Sequence, residues 1–324
     1  MAGTVVVVGS FNVDHVWRSE HLPRTGETLS GSYTTGPGGK GFNQAVAARR
    51  AGAETTFVCA LGEDVGASLA RSLATLDGIA LRVQASTAAT GTAGIYTDAA
   101  GRNSIIIGPG ANGALTGDFV LEQDDVFRRT AVVLAQMESP RDAVLAALRQ
   151  ARAAGAIAML NPAPANVAVD AELLAACDLV TPNETEFVAL LATHSAGRLD
   201  ASDISTLEDA VLHAACRALL PQGTVVVTLG QAGAFVSHAA TALQGDSDPY
   251  YRVAAEPVVA VDSTGAGDAF NGALAARLAA GGGQSFAAHV RFAGRFAALS
   301  VESPGAAASM PRLAAMRARF PDRA

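Results

Sequence analysis

The run Asp262-Ser-Thr-Gly-Ala-Gly-Asp-Ala-Phe-Asn-Gly272 decides how this chain is read. An apolar lead-in at 258–261 predicts a strand before it, and the spacing after it predicts a helix over 269–280. Glycines at the start of a helix leave backbone N–H groups open, and with the helix dipole these form an anion site. Asp268 stands where an anion would otherwise be welcome. A carboxylate there has a use as a general base beside a phosphate in transfer.

Working outward, the same strand-to-helix alternation recurs. Apolar runs at 131–135, 157–160, 179–181 and 225–229 read as buried strands. Helical patterns over 141–154, 184–191 and 207–219 separate them, which implies βαβ units and a parallel sheet covered on both faces. Residues 5–8 read as a buried first strand and 56–61 as another, with helices over 41–51, 65–76 and 286–301. Short strands at 13–17, 32–35, 92–97 and 104–107 do not fit a parallel sheet and predict a small separate β layer. The polar stretch 193–205 reads as an exposed loop. No repeat or linker divides the chain, so one domain over 1–324 is expected, an α/β fold with a mostly parallel sheet between helices.

Bulk properties narrow the function. Of 324 residues, 50% are hydrophobic and 16% charged, enough for a large core. A net charge of −7 without a Lys/Arg block argues against nucleic acid, and no apolar run approaches a membrane span. Three cysteines without paired spacing and no signal-type segment predict a reduced, cytoplasmic protein. Lys40 is the only lysine; every other basic residue is an arginine or histidine.

Lys40 lies in Gly36-Pro-Gly-Gly-Lys-Gly41, a formal GxGxxG, but the first strand ends elsewhere, at Gly9, so a dinucleotide fold is poorly supported. No Ser or Thr follows the lysine, which excludes a Walker A loop. Asn12 and Asp14 follow the first strand and, spaced by two, share a face of an extended segment. An amide and a carboxylate there suit sugar hydroxyls, or else form an Asx turn. Asn183 and Glu186 share a helical face and suit magnesium and its waters, or else cap a helix. The six histidines show no zinc spacing, and no GxSxG elbow is present.

In order along the chain, GSFNVDH (9–15), GGKGFNQAVA (38–47), QMESP (136–140), LNPAPA (160–165), TPNETE (181–186), VTLGQAG (227–233) and DSTGAGDAFNGAL (262–274) span nearly all of it. Together they resemble the ribokinase-like (phosphofructokinase-B-type) family of sugar kinases. The resemblance implies a three-layer fold with a β-sheet lid, built here from about 12–36 and 91–108, that also serves as a homodimer interface. It implies transfer of the γ-phosphate of ATP to a primary hydroxyl, first of ribose, with 2-deoxyribose, a ketohexose or a nucleoside as alternatives. A silent sugar-binding regulator is the reading from another class.

By the same resemblance, Asn12, Asp14, Gly39, Lys40, Asn43 and Glu138 would hold the sugar, and Asp268 would take its proton. Amides of Gly265, Ala266 and Gly267 would form the anion hole. Asn183 and Glu186 would organise Mg2+, with Asn183, Thr228, Gly230, Gly233 and Gly267 along the nucleotide. Asp262, Thr264, Ser300, Ser303, Gly305 and Ser309 match a potassium site. The chain departs from the family pattern at Gly294, where a histidine near the adenine is frequent, and at Ser303, where an arginine is. The stretches 193–205 and 239–250 are longer than usual for the family.

Overall fold

The computed structural model describes residues 3–194 and 199–321. Strand β1 (Thr4–Val8) lies inside the main sheet, and its consecutive valines serve both faces. Val5 and Val7 enter one apolar core, Val6 and Val8 the other. That two-sided burial is why the run shows no polar alternation.

Among the described residues the main sheet has nine strands. On one side β1 pairs in parallel with β4 (Glu54–Leu61), which pairs with β5 (Ala80–Ala85). On the other it pairs in parallel with β8 (Val132–Gln136) and onward through β9 (Ile157–Asn161) and β10 (Leu179–Val180) to β11 (Thr224–Thr228). Two antiparallel strands, β12 (Ala234–Ser237) and β13 (Tyr250–Val253), finish that edge. The sheet is therefore parallel except at this edge.

Helices α1 (Lys40–Arg50), α2 (Val65–Asp77), α9 (Ala266–Ala280), α10 (Phe286–Ser300) and α11 (Leu313–Arg319) cover the Val5/Val7 face. The opposite face carries α3 (Gly117–Leu121), α4 (Asp124–Phe127), α5 (Arg141–Ala153), α6 (Ala171–Ala175), α7 (Glu184–His194) and α8 (Asp209–Leu219). The expected separate β layer is a four-stranded sheet in the order β3 (Ser32–Gly38), β2 (Asn12–Arg18), β6 (Gly91–Thr97), β7 (Asn103–Gly108). Its hairpin partners are antiparallel, but β2 and β6 run parallel.

Three expectations are corrected. Residues 258–261 form no strand: Val259 and Val261 are exposed, and the amides of Val261 and Asp262 bond to the Val301 carbonyl instead. Their apolarity is not core burial. Helix α9 begins at Ala266, three residues before 269, because Gly265 at φ 77° turns the chain into it. The predicted loop 193–205 begins with the end of α7, and residues 201–206 form a 3₁₀ helix anchored by fully buried Ile204. Residues 195–198 of that expectation lie outside the described residues. The stretch 239–250 joins β12 to β13 and is pinned by Asp246, which accepts from the Tyr251 hydroxyl and the Ala287 amide (3.2 Å) and faces His238.

Candidate active site

Strands β1, β8, β9, β10 and β11 all deliver polar residues at their carboxyl ends, where open α/β sheets present their ligand crevice. The chain turns from β1 directly into β2, which carries Asn12 and Asp14 on one face, and returns along β3 to the glycine-rich entry of α1. Gly39, at φ 86°, permits that approach, since a Cβ there would lie 2.8 Å from the Asn12 amide and the Ser10 carbonyl. Asp14 lies over Gly38, where a Cβ would sit 2.2 Å from the carboxylate oxygens.

Asp268, in the first turn of α9, is buried. Its two oxygens accept from Asn43 Nδ2 at 2.9 Å and Gln44 Nε2 at 2.8 Å, both on α1. Burial raises its pKa, while Lys40 and these two amides pull it back. A network extends behind it. Gln44 donates to Asn161 Oδ1 (3.0 Å) and accepts from Gln136 Nε2 (2.5 Å), and Asn161 donates to the Thr181 carbonyl (3.0 Å). Thr181 bonds to Asn271, which donates to the Gly267 carbonyl (2.8 Å).

Glu138, just past β8, accepts from Ser10 Oγ at 2.6 Å and from the Lys40 amide at 3.0 Å. Burial lowers the Lys40 ammonium, but the fields of Asp268, Glu138 and Glu186 outweigh it and hold its pKa above the usual value. Lys40 makes no ion pair with any described carboxylate, so its charge is available. Burial, with Glu138 and Asp268 nearby, pushes Asp14 up to about 7. Asn12 Oδ1 accepts from Asn112 Nδ2 at 2.8 Å, and Asn112 also bonds both backbone groups of Phe11. Asn43 Oδ1 is buried without a partner among the described residues.

At the start of α9 no side chain caps the helix. The Ala266 amide donates to the Ser263 carbonyl at 3.2 Å, whereas the amides of Gly265 and Gly267 meet no described acceptor. A Cβ on Gly267 would face open space. Two N–H groups and a helix dipole are thus free for an anion.

Asn183 and Glu186 form a reciprocal capping box on α7, with Asn183 N to Glu186 Oε2 at 2.9 Å and Glu186 N to Asn183 Oδ1 at 2.8 Å. The capping reading therefore holds, and it leaves one Glu186 oxygen for other work. Burial raises the Glu186 pKa, against the Asn183 amide and Lys40. Asn183 bridges Thr228 at the end of β11, and Gly230 and Gly233 follow in the turn to β12 with φ of 52° and 93°.

Asp262 joins its loop to the next. Its oxygens accept from the Thr264 and Gly305 amides, each at 2.9 Å, and its pKa is held down by these bonds against burial. Ser300 and Ser309 donate to the carbonyls of Ala297 and Ala306, so their remaining donors toward a cation are oxygens. The amide of exposed Ser303 donates to the Ser300 carbonyl at 3.4 Å. A Cβ on Gly294 would meet nothing, leaving that face of α10 open.

Asp14, Lys40, Asn43, Gln44 and Glu138 therefore gather around Asp268, and Asn183 meets Thr228 where β10 and β11 end. The family profile of pfkB carbohydrate kinases matches residues 2–313. The chain belongs to the pfkB family of carbohydrate kinases. A ribokinase of Haemophilus influenzae is 35% identical over 316 residues, 96% of each chain, and a Mus musculus ribokinase is 36% identical over 96% of this kinase and 92% of its own length. The structure of Arabidopsis thaliana ribokinase complexed with ribose and ATP superposes with a TM-score of 0.81 at 30% identity, covering all of both chains.

Sequence reasoning missed Gln44, Gln136, Asn161, Asn112 and Ser10. Each is a buried polar residue of the kinase's site. Ser10, Gln44 and Gln136 stand in the same motifs as Asn12, Asn43 and Glu138, whereas LNPAPA (160–165), which holds Asn161, contains none of the expected site residues and Asn112 lies in no motif. Their signal was polarity within otherwise apolar surroundings.

Proposed function

We propose that this chain is an ATP-dependent ribose kinase acting in the cytoplasm as one kinase unit, with the four-stranded sheet as its lid. The observation that carries the reading is Asp268. A buried carboxylate stands one residue after a free helix-terminal amide, and the partnerless Asn43 Oδ1 beside it calls for a hydroxyl donor. The similarity to ribokinases over almost the whole chain supports ribose as the acceptor.

In this reading Asn12, Asp14, Gly39, Lys40, Asn43 and Glu138 hold the sugar. Asp268 removes the proton of the primary hydroxyl. The oxygen attacks the γ-phosphorus, the bond to the β-phosphate oxygen breaks, and ADP leaves. The positive end of α9 holds the phosphoryl oxygens with the free amides of Gly265 and Gly267, joined by that of Ala266 as it exchanges its 3.2 Å bond to the Ser263 carbonyl for the phosphate; losing one such donor typically costs about 3–4 kcal/mol in the barrier. Thr228, Gly230 and Gly233 line the nucleotide. Mg2+ supplies charge neutralisation on the phosphates, and the free oxygen of Glu186, with Asn183, fits its waters. The carbonyl-rich turn of Thr264, Ser300, Ser303, Gly305 and Ser309, ordered by Asp262, fits K+.

The test is ADP release measured across ribose, 2-deoxyribose, fructose and nucleosides, with and without K+. Ribose is expected to give the highest kcat/KM. No response to ribose would overturn the reading.

A further inference from the structure

The last turn of α9, the middle of α10 and α11 enclose a cleft of about 160 Å³. Arg277, Arg291, Arg295 and Arg317 line it, with Phe292 and Phe320. In a chain of net charge −7, four guanidinium groups around one cleft invert the local charge. Glu256 holds Arg295 at 2.7 Å, but Arg277, Arg291 and Arg317 pair with no described carboxylate. Arg277 lies over the Phe292 ring at 4.9 Å and donates to Gln284, yet its Nε is buried without a described acceptor. A buried donor left unmade is unfavourable, and gathered like charges repel. A dianion with several acceptor oxygens would relieve both, and guanidinium forks match phosphoryl geometry.

We propose that this cleft binds a small phosphoryl dianion, either inorganic phosphate or a sugar phosphate monoester. It is a site apart from phosphotransfer: Arg277 follows Asp268 by nine residues on one helix, about 13 Å along its axis. The volume suits a single phosphoryl group with a small substituent and leaves no room for a polymer.

The test is calorimetric titration of the full chain with inorganic phosphate and, separately, ribose 5-phosphate. The nucleotide site is kept filled by a non-hydrolysable ATP analogue, and NaCl at matched ionic strength is the blank. About one equivalent of phosphoryl ligand is expected to bind, and whichever compound binds more tightly identifies the source. The double variant Arg291→Gln/Arg317→Gln, altered only at exposed positions, should weaken binding at least about tenfold while its turnover without added phosphate is unchanged. Arg291→Lys/Arg317→Lys should recover part of the affinity, since the charge returns without the planar fork. Equal affinity in the wild type and the Gln variant, or no heat from either compound at millimolar concentration, would overturn the proposal. Because the arginine variants score the site, the comparison stands even if the ATP analogue fails to bind.

Discussion

Asp268 is poised between two surroundings that act against each other. Burial favours its neutral form, while Lys40, Asn43 and Gln44 favour the carboxylate. An amide in its place keeps the shape and removes the base. Asp268→Asn is therefore expected to lower kcat by about 10²–10⁴-fold with ATP affinity retained, measured by ADP release and calorimetry. Near-normal turnover would dismiss Asp268 as base. Asp14 carries a pH signature. In the fold it keeps its proton to about pH 7, against an ordinary 3.8. Across that window the native state binds more protons than the unfolded one, so stability falls as pH rises through it. The destabilisation is complete above about 7 and absent below about 4. Asp14→Asn should thus unfold later than wild type at pH 8, by roughly 1–3 kcal/mol, with the two converging near pH 4. Its KM for ribose should rise, and a variant less stable at pH 8 would refute the assignment.

At the scale of elements, the site depends on how closely α1 and α9 approach, because Asn43 and Gln44 on one must reach Asp268 on the other. Gly272 permits this. A Cβ there would lie 2.4 Å from the Gln44 carbonyl and 2.5 Å from Ala47 Cβ. Gly272→Ala is expected to destabilise by about 1–3 kcal/mol in urea unfolding and to lower turnover beyond what lost stability explains, since the helices must part. Unchanged stability would mean that the contact relaxes freely. The capping box illustrates a limit of reading residues by type. The pattern Asn183 to Glu186 was visible in the sequence, but both of its meanings were compatible with it. The structure realises the cap, and the oxygen left over is a matter of side-chain direction.

At the scale of the molecule, the second sheet is the part least satisfied by its own chain. Its register sets Val16, Ile95 and Ile105 in one row, next to the row of Asp14, Ala93 and Ile107. Ile105 and Ile107 are exposed, as are Trp17 and Tyr33 on the other face. Such a surface suits a second copy of the chain. We therefore expect a dimer in light scattering of the full chain and a shift toward monomer in Ile105→Glu. A wild-type monomer at micromolar concentration would refute the lid interface.

By itself the sequence determined the layer order. Continuous valine runs such as residues 5–8 can be buried only between two helical faces, and the short alternating segments around 12–38 and 91–108 cannot join them. It also determined which motifs bear chemistry, because Lys40 and Asp268 stand in glycine-rich turns where a charged side chain has no packing role. Tertiary structure decided the rest. Whether Val258–Val261 is core depends on what stands beside it, and here the Val261 amide meets the Val301 carbonyl at the end of α10 rather than a strand. The starting point of α9 depends on the φ of Gly265, which glycine leaves open. Gln44, Asn112 and Asn161 become part of the site only through partners 100 or more residues away or across a strand end, a relation that local spacing does not encode.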